Sequence, residues 1–150
     1  MRLIDVLSKN SIGLDEPAVD WEEAVQLAGK YMINNHGIKE RYITAMINAV
    51  KSIGPYMVVA PGIAIAHARP EDGAKKICIS IVRLKNPVKF GSKNNDPVDL
   101  IFGLAAKDHD SHIGVLRGLA RLLQNKGAIE EIRRADNTNE VYSLIQALDV

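Results

Sequence analysis

A single cysteine, Cys78, stands among the 150 residues. That excludes an internal disulfide and any metal site built from several thiolates, and it makes a reducing cytoplasm the simplest home. No apolar run approaches the roughly 20 residues needed to cross a bilayer, so direct membrane insertion is not expected. The opening Met-Arg-Leu-Ile-Asp-Val-Leu-Ser-Lys interrupts its apolar residues with charge, unlike a signal peptide. A formal net charge of +1 offers no handle for nucleic acid or an anionic lipid surface. No Walker-type glycine-rich loop is present, and neither an internal repeat nor a low-complexity segment stands out. The rest is ordinary for a globular chain, with 47% hydrophobic and 25% charged residues. Residues 1–150 are expected to form one domain with a sizeable core.

The apolar pattern switches between helical and extended stretches. Residues 11–14 suggest an edge strand, and Pro17 breaks the chain after it. Asp20 and Glu23 form a capping-box-like pair, after which Trp21, Ala24, Val25, Ala28, Tyr31 and Met32 recur at helical spacing. Tyr42, Ile43, Met46, Ile47, Val50 and Ile53 make the stripe of a second helix over residues 40–52, stopped by Gly54-Pro55. Met57, Val58 and Val59 are β-prone. Ile77, Ile79 and Ile81 then alternate with Cys78, Ser80 and Val82, and neither set carries charge. That suits an interior strand covered on both faces, with Cys78 a small core residue. Asn86-Pro87 marks a turn before a short strand at 88–90, and residues 91–97 a polar loop. Residues 98–106 read as a buried strand despite Asp99. Ser111 is expected to cap a third helix with Ile113, Leu116, Leu119, Ala120 and Leu123 on one face. Gly127 separates it from a short helix over residues 129–134. A last helix starts at Asn137 or Thr138 and carries Val141, Leu144, Ile145 and Leu148. The pattern predicts an α/β fold with helices wrapped around a mixed, buried sheet. Strands and helices do not alternate strictly, so a doubly wound nucleotide fold fits poorly.

Residues 61–73, Pro-Gly-Ile-Ala-Ile-Ala-His-Ala-Arg-Pro-Glu-Asp-Gly, carry the chemistry. Ile63, Ala64 and Ile65 deliver His67 to a strand end just before a turn built from Pro70 and Gly73. Pro70 keeps Arg69 extended, and small Ala66 and Ala68 leave the imidazole reachable. The run His-Ala-Arg-Pro-Glu-Asp-Gly follows Gly54-Pro55-Tyr56 and Ala60-Pro61-Gly62. Together they resemble the active-site segment of the enzyme IIA phosphocarriers of the sugar phosphotransferase system, fructose–mannitol superfamily, and most of all its ascorbate-type branch. The resemblance spans nearly the whole chain.

It implies a mixed β-sheet covered by helices on both sides. It also implies that His67 takes a phosphoryl group on its tele nitrogen from the carrier HPr and passes it to a cysteine of a cognate enzyme IIB. That partner serves a membrane permease, the IIC component, and no cofactor is expected. The Ser111-His112 pair matches the family's second histidine beside the active one. Two departures stand out. Ala66 replaces the proline that many members carry before the histidine. Residues 46–51, Met-Ile-Asn-Ala-Val-Lys, also lack the late arginine of mannitol-type members, which leaves Lys51 or Arg69 as substitute cations. The sugar stays open.

The residues suit that chemistry on physical grounds. Neutral imidazole offers a nucleophilic nitrogen near pH 7, and phosphoryl transfer demands mainly positioning and charge stabilisation. His112, in the first turn of a helix, is disfavoured as imidazolium and sits beside N–H groups that suit an anion, so it can donate to phosphate oxygens. Arg69, two residues after His67 in an extended segment, lies on the same side and can screen phosphate or meet an acidic partner. Ser111 joins Arg69 as a binding candidate. His36 is expected to be an exposed helix-end residue. The docking surface is expected to be exposed and partly apolar around Ile63, Ala66, Ala68 and residues 107–111. Two other readings remain: a regulatory module that signals by its phosphorylation state, and a metal site at Asp108, His109, Asp110 and His112.

Overall fold

The computed structural model describes residues 1–150 throughout. Two 3-10 turns, Leu3–Val6 and Lys9–Ser11, lead into β1 (Ile12–Glu16). Helices α1 (Trp21–Asn34) and α2 (Glu40–Ile53) follow, then β2 (Val58–Ala60), β3 (Ile63–Ala66), β4 (Cys78–Val88) and β5 (Val98–Ala105). Helices α3 (His109–Gln124), α4 (Lys126–Arg134) and α5 (Thr138–Ala147) close the chain. The five strands form one sheet in the order β1-β4-β5-β3-β2. The β1–β4 and β3–β5 pairs are parallel, and the β4–β5 and β2–β3 pairs antiparallel. No helix is long and apolar enough to cross a membrane.

The period-2 alternation of β4 splits the interior into two apolar clusters, one on each face of the sheet. Cys78 and Val82 join Ala28, Met32 and Met46 beneath α1 and α2. Ile79 and Ile81 join Leu119, Ile132 and Val141 beneath α3, α4 and α5. Burying an isoleucine or leucine side chain fully contributes about 1.5–3 kcal/mol, so the two clusters dominate the stability of the sandwich. Cys78 is fully buried, and burial pushes its thiol up to about 12, as befits a core residue.

Close packing seats α1 on the sheet. A side chain at Gly103 of β5 would collide with Ser80 Oγ and crowd the end of Met32 at 3.0 Å. The glycine therefore lets Ser80 donate its hydroxyl to the Ala28 carbonyl at 2.8 Å. On the opposite face Arg83 is buried and fully satisfied. Its guanidinium donates to the carbonyls of Ile132, Arg133 and Ala135 at 3.0, 3.2 and 2.8 Å, and pairs with Asp15 at 3.0 Å. It thus binds the carbonyl end of α4, where a cation is favoured, to β4 and β1.

Several local expectations need correction. Strand β4 does not turn at Asn86-Pro87 but runs on to Val88. The register to β5 shifts between Arg83 and Val88, and that irregular stretch absorbs a proline that has no N–H to give the ladder. Asp108, not Ser111, caps α3, its carboxylate accepting the Ser111 N–H at 2.8 Å. The buried face of α3 is Val115, Gly118, Leu119 and Leu122, rotated by one residue from the expected stripe, and Ala120 is exposed. Glu23 reaches past the cap, accepting from the Val19 N–H while Asp20 accepts from Glu23. Ile53, the last member of the α2 stripe, is 71% exposed.

Candidate functional site

Strands β3 and β5 are parallel and their ladder ends at the pair Ala66–Gly103. His67 is the first residue beyond it. In a sheet with helices on both faces, the carboxyl ends of parallel strands are where a crevice opens. Here a cleft of about 430 Å³ opens there, between the last turns of α2 and the first turn of α3. His67, Arg69, Asp72, His109 and His112 line it, with Tyr56, Ala45, Ala49 and Ile53 forming an apolar wall.

The histidine segment is pinned where the ladder stops. Fully buried Tyr42 of α2 accepts the Ala68 N–H at 2.9 Å, and its hydroxyl lies 2.9 Å from the Leu104 carbonyl oxygen and 3.1 Å from that of Ala68. Tyr56 donates to the His67 carbonyl at 3.0 Å. Arg69 is extended, with φ −78° and ψ 151°, as the following proline requires.

His67 is held in one tautomer. Its Nδ1 lies 2.9 Å from the Ile65 carbonyl oxygen. A carbonyl can only accept, so Nδ1 carries the proton and the neutral ring keeps its lone pair on Nε2. The His112 ring lies 5.7 Å from the His67 ring, centroid to centroid. Burial, then the neighbouring His67 and His109, lowers the His112 pKa and keeps that imidazole neutral. Its Nδ1 is buried with no partner. A bare acceptor is tolerated there better than an orphaned N–H, so the proton belongs on Nε2, the nitrogen left facing the cleft. The pair therefore sets a nucleophilic nitrogen beside a neutral donor.

The cationic candidates separate. Arg69 lines the cleft but is engaged by Glu71 at 3.5 Å and Asp72 at 3.4 Å. Burial resists ionisation of Asp72, yet the bonds from Arg69 outweigh it and hold that carboxyl below its ordinary range. Lys51 pairs with Glu22 of α1 at 3.4 Å and does not line the cleft. Ser111 turns its hydroxyl to its own cap, Asp108, at 3.1 Å. That cap also takes the Ser111 N–H, so fewer backbone donors face the cleft than a bare helix start offers.

No three His, Cys, Asp or Glu side chains are grouped to hold a metal ion, so the reading at residues 108–112 has no structural basis. The expected docking residues are buried, Ile63 and Ala66 being only 4% and 0% exposed and Ala68 9% exposed. Every residue of β3 is buried, because the strand lies between two neighbours and two helical layers. The apolar surface beside His67 comes instead from α2. Sequence reasoning missed that wall, and it quoted Tyr56 and Asp72 in the motif without giving either a role. The one signal for the wall was an isoleucine immediately before Gly54-Pro55, where a helix stops and its stripe need no longer face inward.

Comparison with known proteins identifies the family and the fold. The family described as phosphoenolpyruvate-dependent sugar phosphotransferase system, EIIA 2, matches residues 5–148. The ascorbate-specific PTS system EIIA component of Escherichia coli K12 is 36% identical over 148 residues, covering 97% of this chain and 96% of the relative. The mannitol-specific cryptic phosphotransferase enzyme IIA component of the same organism is 37% identical over 145 residues, covering 97% and 98%. A solution structure under that second name agrees with a TM-score of 0.87 over 97% of this chain and 98% of that one. The complex of enzyme IIAMtl and phosphorylated enzyme IIBMtl from E. coli agrees at 0.81, with 25% identity over 95% and 100%. On the matched family and the shared fold, the chain belongs to the EIIA 2 family of the sugar phosphotransferase system, whose members are its phosphotransferase components.

Proposed function

We propose that His67 is the phosphoryl acceptor, loaded at Nε2 by the phosphohistidine of HPr and unloaded onto a cysteine of a cognate enzyme IIB. Residues 1–150 act as one domain in the cytoplasm, beside a IIC permease that imports ascorbate. The observation that carries this reading is the Nδ1 contact with the Ile65 carbonyl, which leaves Nε2 as the nucleophile. In loading, the Nε2 lone pair attacks phosphorus while the donor's P–N bond breaks and its electron pair returns to the donor imidazole. The new P–Nε2 bond places positive charge on the His67 ring, and the Nδ1–H bond to Ile65 strengthens as that charge develops. In unloading, a thiolate attacks phosphorus, P–Nε2 breaks, and the pair returns to Nε2. No proton has to leave Nδ1 in either direction. His112 Nε2–H meets a phosphoryl oxygen, and the apolar α2 wall seats each partner in turn.

The test mixes labelled chain with purified ascorbate-type and mannitol-type enzyme IIB. Label should move to the cysteine of the ascorbate type, and faster than to the other. Retention with both would favour the regulatory reading, and faster transfer to the mannitol type would overturn the sugar assignment.

Arg69 distinguishes partner steering from phosphate binding. Exposed and already shared with two carboxylates, it acts at the cleft edge. Arg69→Ala is expected to lower kcat/KM about 3–10-fold at low salt, with the gap closing as ionic strength rises past the screening length. A loss that persists at high salt in the saturated rate would place the guanidinium on the phosphate instead.

A further inference from the structure

The β3–β5 ladder stops at Ala66, so the sheet leaves the main chain of His67 without its usual partners. Two tyrosines take over. Tyr42 holds Ala68 on one side, and the Tyr56 hydroxyl takes the carbonyl of His67 itself at 3.0 Å. The Tyr56 ring also stands against the imidazole, 5.3 Å between centroids and 83° between planes, an edge-to-face contact. One bond from Nδ1 to Ile65 leaves the imidazole free to swing about that contact. An aromatic ring against it and a main-chain carbonyl held by the same side chain remove that freedom.

We propose that Tyr56 is a positioning residue for phosphoryl transfer, fixing the direction of His67 Nε2 through its hydroxyl bond to the His67 carbonyl and its ring against the imidazole. The inference rests on His67 as the acceptor. Burial, then the nearby Asp72, raises the Tyr56 phenol pKa, so the hydroxyl keeps the proton it donates. Tyr56 is half-buried on the cleft wall and touches the acceptor twice, its ring against the imidazole and its hydroxyl on the His67 carbonyl. In-line attack tolerates little error, since a misplacement on the order of 1 Å costs about 10²-fold.

Radiolabelled phospho-HPr is the probe, with Tyr56→Phe and Tyr56→Leu compared with the unaltered chain. Tyr56→Phe keeps the ring and loses the hydroxyl bond, and its saturated transfer rate should fall about 3–10-fold. Tyr56→Leu loses both contacts and should fall about 30–100-fold, with the KM for phospho-HPr little changed in either variant. Nitrogen NMR of His67 should show one protonated Nδ1 and one bare Nε2 in the unaltered chain, and a mixture of tautomers in Tyr56→Leu. A raised KM at constant kcat would make Tyr56 a docking residue and overturn the proposal, as would unaltered rates and tautomer in both variants. Should Tyr56→Leu fail to fold, the Tyr56→Phe rate and spectrum decide alone. Labelling that persists in His67→Ala would instead remove the acceptor reading on which the proposal stands.

Discussion

His67→Ala protein, incubated with labelled phospho-HPr, is expected to take up no acid-labile phosphoryl label while folding as the unaltered chain does. The folding half of that expectation rests on position. His67 is only partly buried, follows the end of β3, and makes one side-chain bond, to the Ile65 carbonyl. Its loss costs about 1 kcal/mol, small beside the two cores on either face of the sheet. The chemical half rests on the nucleophile: no other histidine near the cleft has its ring proton fixed so as to leave a bare nitrogen facing outward. A phosphohistidine P–N bond hydrolyses in acid, so label on the unaltered chain should disappear at low pH. Undiminished labelling of His67→Ala would sink the assignment.

Removing the second imidazole should slow transfer without abolishing it. His112→Ala is expected to lose about 10²–10³ in the saturated rate, the usual worth of one positioned donor, with His67 still labelled at long times. His112→Gln, which restores an N–H at nearly the same reach, should recover part of the loss. The pH behaviour has a definite sign. Because burial lowers the folded pKa of His112, the unfolded chain takes up a proton below about 6.5 that the folded chain refuses. Its contribution to stability is therefore complete above that pH and declines as pH falls through the lowered folded value, a slope absent from His112→Gln. Loading His67 with phosphate should then raise the His112 pKa, since an adjacent dianion favours imidazolium. Transfer at the unaltered rate in both directions, or a His112 titration indifferent to phosphorylation, would return it to an ordinary histidine of a helix start.

Local chemistry was legible wherever neighbours in sequence are neighbours in space. Helices α1 and α2 lie almost where the stripes and the Asp20 and Gly54-Pro55 signals place them. The extended Arg69 follows from Pro70, and His67 at a strand end follows from the run before it. The uncharged alternation of residues 77–82 is the mark of a strand covered on both faces, and β4 is one. Helix α3 shows the limit. Leucines at 116, 119, 122 and 123 satisfy more than one helical stripe, and only the angle at which α3 meets the sheet buries Val115 and Leu122 in place of Ala120.

Periodicity and motif spacing alone were enough for the sheet-and-helix class, for His67 as the candidate acceptor, and for the Ser111-His112 pair that marked a second candidate histidine. Periodicity, turn residues and motif spacing are properties of a short stretch of backbone, and they survive without knowledge of the rest. The make-up of the cleft came from packing. Nothing in the chain order brings Tyr56, His67 and His112 into ring contact, sends Lys51 away to Glu22, or engages Arg69 with Glu71 and Asp72. Nor does it announce that the Ile65 carbonyl will accept a hydrogen bond from Nδ1–H, or that burial will keep His112 neutral. Those depend on where β3, β5, α2 and α3 converge, and distance, burial and hydrogen-bond direction exist only once the elements are packed.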